Sequence, residues 1–314
     1  MLIMSKIKTF IRNISPFNNR TEMPMILYIV KVFILFWFVK FGAEVIGEAV
    51  VIGLHFACGK NPLQGEMFDS NTITLITYYG YGFMIGIVIL YWKLFQKKTL
   101  AELGFTKKAG TYFIGVFAGV ILVAVSVASV MLTGTITYHG IFRHIDSIYL
   151  LLMLGGFICQ GAFEEVLCRG IALQRLKDRT PIPVAVGIST ALFIIPHLDN
   201  LSGASAGMIL FAIVDLVLIS LIFSLLTLRF ESIWAACGLH SIWNFILYNI
   251  LGLNLSGKDE MTAAVFDMRS VGSNILNGGK YGIEASVITA VVLAMAFAFM
   301  IVITKKKGNS ENEV

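Results

Sequence analysis

Apolar residues along this chain gather into runs of roughly 20, the length at which about 1.5 Å of rise per residue crosses a hydrocarbon core of about 30 Å. Eight such runs are legible, over 25–58, 72–92, 111–133, 148–170, 181–197, 206–228, 232–253 and 282–304. The pattern predicts an all-α, polytopic membrane helix bundle of about eight transmembrane helices. The first run is overlong and holds Lys31, Lys40, Glu44 and Glu48, so it reads as a tilted span or as a span joined to an interfacial segment. Residues 1–24 are polar and basic and lack a small-residue cleavage site, which reads as a cytoplasmic segment ahead of an uncleaved anchor. Residues 25–304 then form one transmembrane domain, and 305–314, "KKKGNSENEV", a disordered cytoplasmic tail.

Composition agrees. With 57% hydrophobic and 14% charged residues, the chain lies outside the range of soluble domains and belongs in the cell membrane. Its net charge of +5 is unevenly spread. Lys6, Lys8, Arg12 and Arg20 precede the first run, Lys93, Lys97, Lys98, Lys107 and Lys108 follow the second, and Arg175, Lys177 and Arg179 follow the fourth. Arg229 follows the sixth, and Lys305, Lys306 and Lys307 follow the last. Eight spans with both ends in the cytoplasm put all of these on the positive side. The excess charge is therefore a topology signal and an attraction to lipid headgroups, and no nucleic-acid partner is implied. Cys58, Cys159, Cys168 and Cys237 form no CxxC pair and read as small apolar fillers.

With charges so few, "FEEVLCRG" at 163–170 is the anomaly. On a helix Glu165 and Arg169 share a face and neutralise one another, whereas Glu164 points about 100° away. A carboxylate without such a partner in a low-dielectric site is available as a proton acceptor. Two further runs carry polar outliers: His197 in "ALFIIPHLDN", and His240 with Asn244 in "CGLHSIWNFI". If the fourth helix turns through "RTPIP", Glu164 and His197 both lie about 16 residues from the turn, hence at one depth. His240 is about ten residues from the turn at Arg229, shallower unless the hairpin of the fourth and fifth helices protrudes further into the cytoplasm.

Taken singly, such residues can serve as hydrogen-bonded helix contacts; together inside a membrane they mark a functional site. The set suits hydrolysis. Glu164 would deprotonate a water, His197 would orient it, and His240 with Asn244 would hydrogen-bond the oxyanion. Glu164, His197 and His240 equally suit a divalent metal such as zinc with an open water position, although the HExxH spacing is missing. No GxSxG or Ser and Lys dyad stands out. Lys40 with Glu44, and Glu44 with Glu48, are i,i+4 neighbours that either line a cavity entrance or form a solvated or mutually paired face near the interface. Asp215, alone in the sixth run, either touches the site or satisfies a neighbouring helix.

In order along the chain, "EEVLCR" (Glu164, Glu165, Arg169), "FIIPH" (Phe193, His197) and "HSIWN" (His240, Asn244) match EExxxR, FxxxH and HxxxN. The chain in this respect resembles the CPBP family of intramembrane peptidases, the CAAX prenyl endopeptidase and bacteriocin-processing group. The resemblance covers a core of about 111–253, with "AELGF" before and "GGKYGIEAS" after it also similar to bacterial members. It implies Glu164 as the water-activating base, His197 as its catalytic partner, His240 and Asn244 as oxyanion binders, and Glu165, Arg169 and Phe193 in support. Cys168 departs from the family, which often carries phenylalanine there, and is expected to alter packing more than chemistry. The expected partner is a membrane-associated peptide or protein substrate. Two rival readings use the same residues: a non-catalytic binding, scaffold or immunity protein, and a small-solute transporter, for which no matching pair of broken helices is found.

Overall fold

The computed structural model describes residues 2–257 and 263–311, so Lys258 and residues 312–314 lie outside the described residues. It is nearly all helical. An amphipathic α1 (Leu2–Ile14) precedes α2 (Met25–Ala57), α3 (Ser70–Tyr91) and α4 (Thr111–Met131). Next, α5 (Ser147–Glu165) runs without a break through a π-helical stretch (Val166–Leu173) into the short α6 (Gln174–Lys177). α7 (Ile182–Ile194) ends in a 3-10 turn (Ile195–Leu201) and is followed by α8 (Ala206–Phe230) and α9 (Trp234–Phe245), the latter extended by a π-helical turn (Ile246–Ile250). α10 (Val287–Glu311) closes the described chain.

All eight apolar runs are helical, but they are not equivalent. Six helices are long and apolar enough to cross a membrane, and Val287–Ile303 is a shorter apolar helix. The run at 232–253 yields only α9 and its π turn, whose residues are almost all buried inside the bundle. The overlong first run is one continuous helix of 33 residues, about 50 Å at the α-helical rise. The expected disordered tail differs as well, since α10 continues to Glu311. The apolar reading also missed two strands, β1 (Ile136–Ile141) and β2 (Phe266–Ser270), which pair antiparallel with Ile136 opposite Ser270.

Helix starts follow side-chain capping, in which an acceptor satisfies an otherwise orphaned amide. Asp69 accepts from the Thr72 amide at 3.0 Å to begin α3, and Asp146 accepts from the Tyr149 amide at 2.9 Å to begin α5. Pro181 and Pro183 open α7, where a missing N–H costs nothing.

The bundle presents apolar side chains outside and keeps several charged ones within its largely apolar core, the inverse of a soluble protein's surface. Phe113, Phe117, Leu151 and Phe299 stand exposed on its flanks, whereas Glu165, Arg169, Asp215 and His240 are buried. That inversion is what a lipid solvent selects.

The expected basic loops meet at one end of the bundle. Arg179 donates to the carbonyls of Thr21 and Met23 at 2.6 and 3.2 Å, Gln96 donates to Pro16 O at 2.7 Å, and Arg175 donates to Gln96 Oε1. Lys108 pairs with Glu231 at 3.0 Å beside an Ile233 amide that donates to Gly104 O at 3.1 Å.

Small residues let α9 sink into the centre. A Cβ on Gly238 would come within 2.1 Å of Tyr112 O on α4, and one on Gly161 of α5 within 2.8 Å of Ser241 Oγ. These two contacts bracket His240 and hold it against the end of α5.

Candidate active site

Glu164 and Glu165 end α5, where the helix loosens into π-helical geometry, a feature frequent at functional sites. Their side chains part as helical rotation requires. Glu165 is 0% exposed and Glu164 23%, so only the second can meet a substrate.

Glu165 lies between a guanidinium and an imidazole. Arg169 Nη1 donates to its Oε1 at 3.0 Å, and His240 Nδ1 lies 3.1 Å from the same oxygen. The second Arg169 amino group donates to the Ser220 carbonyl and hydroxyl at 2.9 and 2.6 Å, and Ser220 Oγ in turn donates to Thr190 Oγ1 at 3.0 Å. The guanidinium carbon sits between the rings of Phe193 and Phe223, 4.9 and 5.0 Å from their centroids. A planar cation held by ring faces and three acceptors is fixed in place. His240 stacks on the same Phe223 at 5.0 Å and 17°, so the arginine and the histidine share one aromatic floor.

Glu164 faces a cavity of about 280 Å³. Its Oε2 lies 3.8 Å from His197 Nε2 and 3.8 Å from His240 Nε2. His197 is oriented by Nδ1 against Phe193 O at 2.8 Å, the i−4 carbonyl of its own helix. Gln160, one turn before Glu164, donates to Glu164 Oε1, while its carbonyl oxygen accepts from Asn244 Nδ2 at 2.9 Å. All of the sequence-chosen residues thus converge: Glu164, His197, His240 and Asn244 line the cavity, Phe193 does so too, and Glu165 and Arg169 lie behind.

The depth of His240 is settled by protrusion of the α5–α7 hairpin. Leu103 packs on Gly170, the adjacent Gly104 receives the Ile233 amide, and so Gly170 and Ile233 stand at one level. Glu164 lies six residues before Gly170 and His240 seven after Ile233, which places them side by side.

Sequence reasoning missed Gln160, Ser220, Thr190 and Phe223. Gln160 carried a signal, being i−4 to Glu164 on an otherwise apolar face; the others are residue types too common in helices to stand out. Lys40 and Glu44 are an i,i+4 ion pair that also lines the cavity, whereas Glu48 is not among the cavity-lining residues and forms no ion pair among the described residues. Cys168 lines it as well, and its carbonyl accepts from Ser189 Oγ at 2.8 Å. Among the described residues no group of three or more His, Cys, Asp or Glu side chains is arranged to hold a metal ion.

Fold and site together define a polytopic helical membrane protein with a glutamate and two histidines facing a cavity inside the bundle. Residues 146–246, which include every residue of that cluster, match the family model for type II CAAX prenyl endopeptidase Rce1-like proteins. That segment, about a third of the chain, is thus similar to CAAX-type prenyl endopeptidases, and the chain as a whole is a multi-pass membrane protein. No curated protein and no solved structure matches the chain.

Proposed function

We propose that the protein is an endopeptidase that hydrolyses peptide bonds of a membrane-associated peptide or protein with a glutamate-activated water. The observation that carries this reading is the placement of Glu164 Oε2 at 3.8 Å from both ring Nε2 atoms. That spacing is beyond direct hydrogen bonding and is one that a single water bridges. Glu164 takes the water proton as the oxygen adds to the carbonyl carbon, and His197 orients the water. The resulting oxyanion is met by Asn244 Nδ2, which has a second N–H beyond the one given to Gln160, and by His240 Nε2. His240 donates to Glu165 through Nδ1 in this scheme, so donation from Nε2 as well requires both ring protons, with Glu165 as the counter-ion. As the C–N bond breaks, the proton on Glu164 passes to the leaving amine.

The clustering of Arg175, Arg179, Lys108 and the N-terminal segment at one end supports a topology with both ends in the cytoplasm, with the site reached from that side. The test profiles peptide termini in membranes of cells carrying the wild-type chain or Glu164→Ala at matched abundance. Products present only with Glu164 are expected, with a rate loss of about 100- to 10,000-fold for a missing general base. An unchanged profile would sink the proposal and favour a binding protein.

A further inference from the structure

The cavity is also lined by Asp215, Ser256, Glu284 and Thr289, none of which the hydrolysis uses. Asp215 on α8 is 2% exposed, and neither carboxylate oxygen accepts a hydrogen bond of normal geometry among the described residues. The groups that act on it are the Glu284 carboxylate, which repels it, and the Ser286 amide, which already donates to Ile283 O at 3.1 Å. The Thr289 hydroxyl is likewise buried without a hydrogen-bond partner. Glu284, by contrast, is held by three hydrogen bonds. Its Oε1 accepts from Trp243 Nε1 at 2.9 Å, and its Oε2 accepts from the Ser256 amide and hydroxyl at 2.9 and 2.7 Å.

Neither carboxylate takes part in an ion pair among the described residues. Two carboxyl groups that face one low-dielectric cavity without a cationic partner are both groups that burial penalises. A cation delivered by a ligand relieves both. The two segments are packed together here, since Ala212, one turn before Asp215, sits in a small core with Tyr281 and Ala285, which flank Glu284 in sequence.

We infer that this end of the cavity is a subsite for a cationic side chain, lysine or arginine, of the bound polypeptide, held between Asp215 and Glu284. Trp243, which anchors Glu284, immediately precedes Asn244. The cation therefore binds at a fixed offset from the oxyanion position, and the subsite selects for a basic residue at a fixed place relative to the cleaved bond. The offset from the cleaved bond and the description of the polypeptide as a substrate rest on the proteolytic reading; the cationic subsite itself does not.

The test uses the purified full-length chain in lipid nanodiscs, with Nα-acetyl-lysine methylamide and Nα-acetyl-norleucine methylamide as probes. Binding is measured to the wild type and to Glu164→Ala, so the readout does not depend on turnover. Both are expected to bind the lysine probe at least tenfold more tightly, and Asp215→Asn and Glu284→Gln are each expected to erase that preference. Should one of these variants fail to fold, the other decides. Equal binding of the two probes by the wild type, or a preference that survives in the folded carboxylate variants, overturns the inference. Lysine preference in a chain that yields no proteolytic products keeps the subsite and removes only the peptidase reading.

Discussion

Replacing Arg169 with methionine isolates what holds the site together. The side chain is 0% exposed, and three acceptor contacts at 2.6 to 3.0 Å end with it. Methionine approximates its apolar bulk between Phe193 and Phe223, so the loss is mainly electrostatic. Breaking a buried pair by removing one partner costs about 3–5 kcal/mol, because the remaining charge stays buried. His240 Nδ1 remains beside Glu165, so the lower end, about 3 kcal/mol, is expected. Adding Glu165→Gln to Arg169→Met removes the stranded charge and is expected to restore about 1–3 kcal/mol. Equilibrium unfolding by SDS in mixed micelles, with the four chains of the double-mutant cycle, measures both steps. A cost below about 1 kcal/mol for Arg169→Met, the range of exposed pairs, or a double variant no more stable than the single one, would refute the reasoning.

Three other outcomes are expected. Asn244→Ala should lower the cleavage rate by about 100- to 1,000-fold, the usual loss for one oxyanion donor, with KM nearly unchanged in steady-state assays. Gly238→Leu should separate α9 from α4, because even a Cβ there would meet Tyr112 O at 2.1 Å; loss of folded protein in thermal unfolding checks this, and a normal melting temperature would contradict the close packing. Chelation by 1,10-phenanthroline should leave cleavage unchanged if Glu164 activates the water unaided, whereas loss of activity restored by added zinc would favour the metal alternative.

What could be read from sequence was whatever depends on helical periodicity. The opposite directions of Glu164 and Glu165 follow from about 100° per residue, and the shared depth of Glu164 and His197 follows from counting out of one turn. The depth of His240 could not be read, because it depends on the level at which two different hairpins pack, and that level is fixed by Leu103 on Gly170 and Gly104 on Ile233. The strand pair escaped for a related reason. Ile136 and Ser270 are far apart in sequence, and neither strand is long or regular enough to interrupt the apolar pattern. Glu284 was invisible as a cavity residue because its three hydrogen bonds come from Trp243 and Ser256, on segments that only the fold brings together.

The adjacent glutamates at the end of α5 cost the chain insertion energy twice, and the structure gives them different surroundings. A single carboxylate pinned by Arg169 would be stable but inaccessible, as Glu165 is at 0% exposure. A single carboxylate facing the cavity would leave Arg169 and His240 without their anion. One residue of helical rotation separates the two tasks. Glu165 gathers Arg169, Ser220 and His240 into a rigid wall, and Glu164 is set against that wall at 3.8 Å from each of two imidazole nitrogens. Asp215 and Glu284 repeat the division: one acid is fixed by three hydrogen bonds, and the other faces the cavity with none of normal geometry among the described residues. In both pairs the more tightly bonded acid organises the surroundings, and the other carboxyl group lines the cavity.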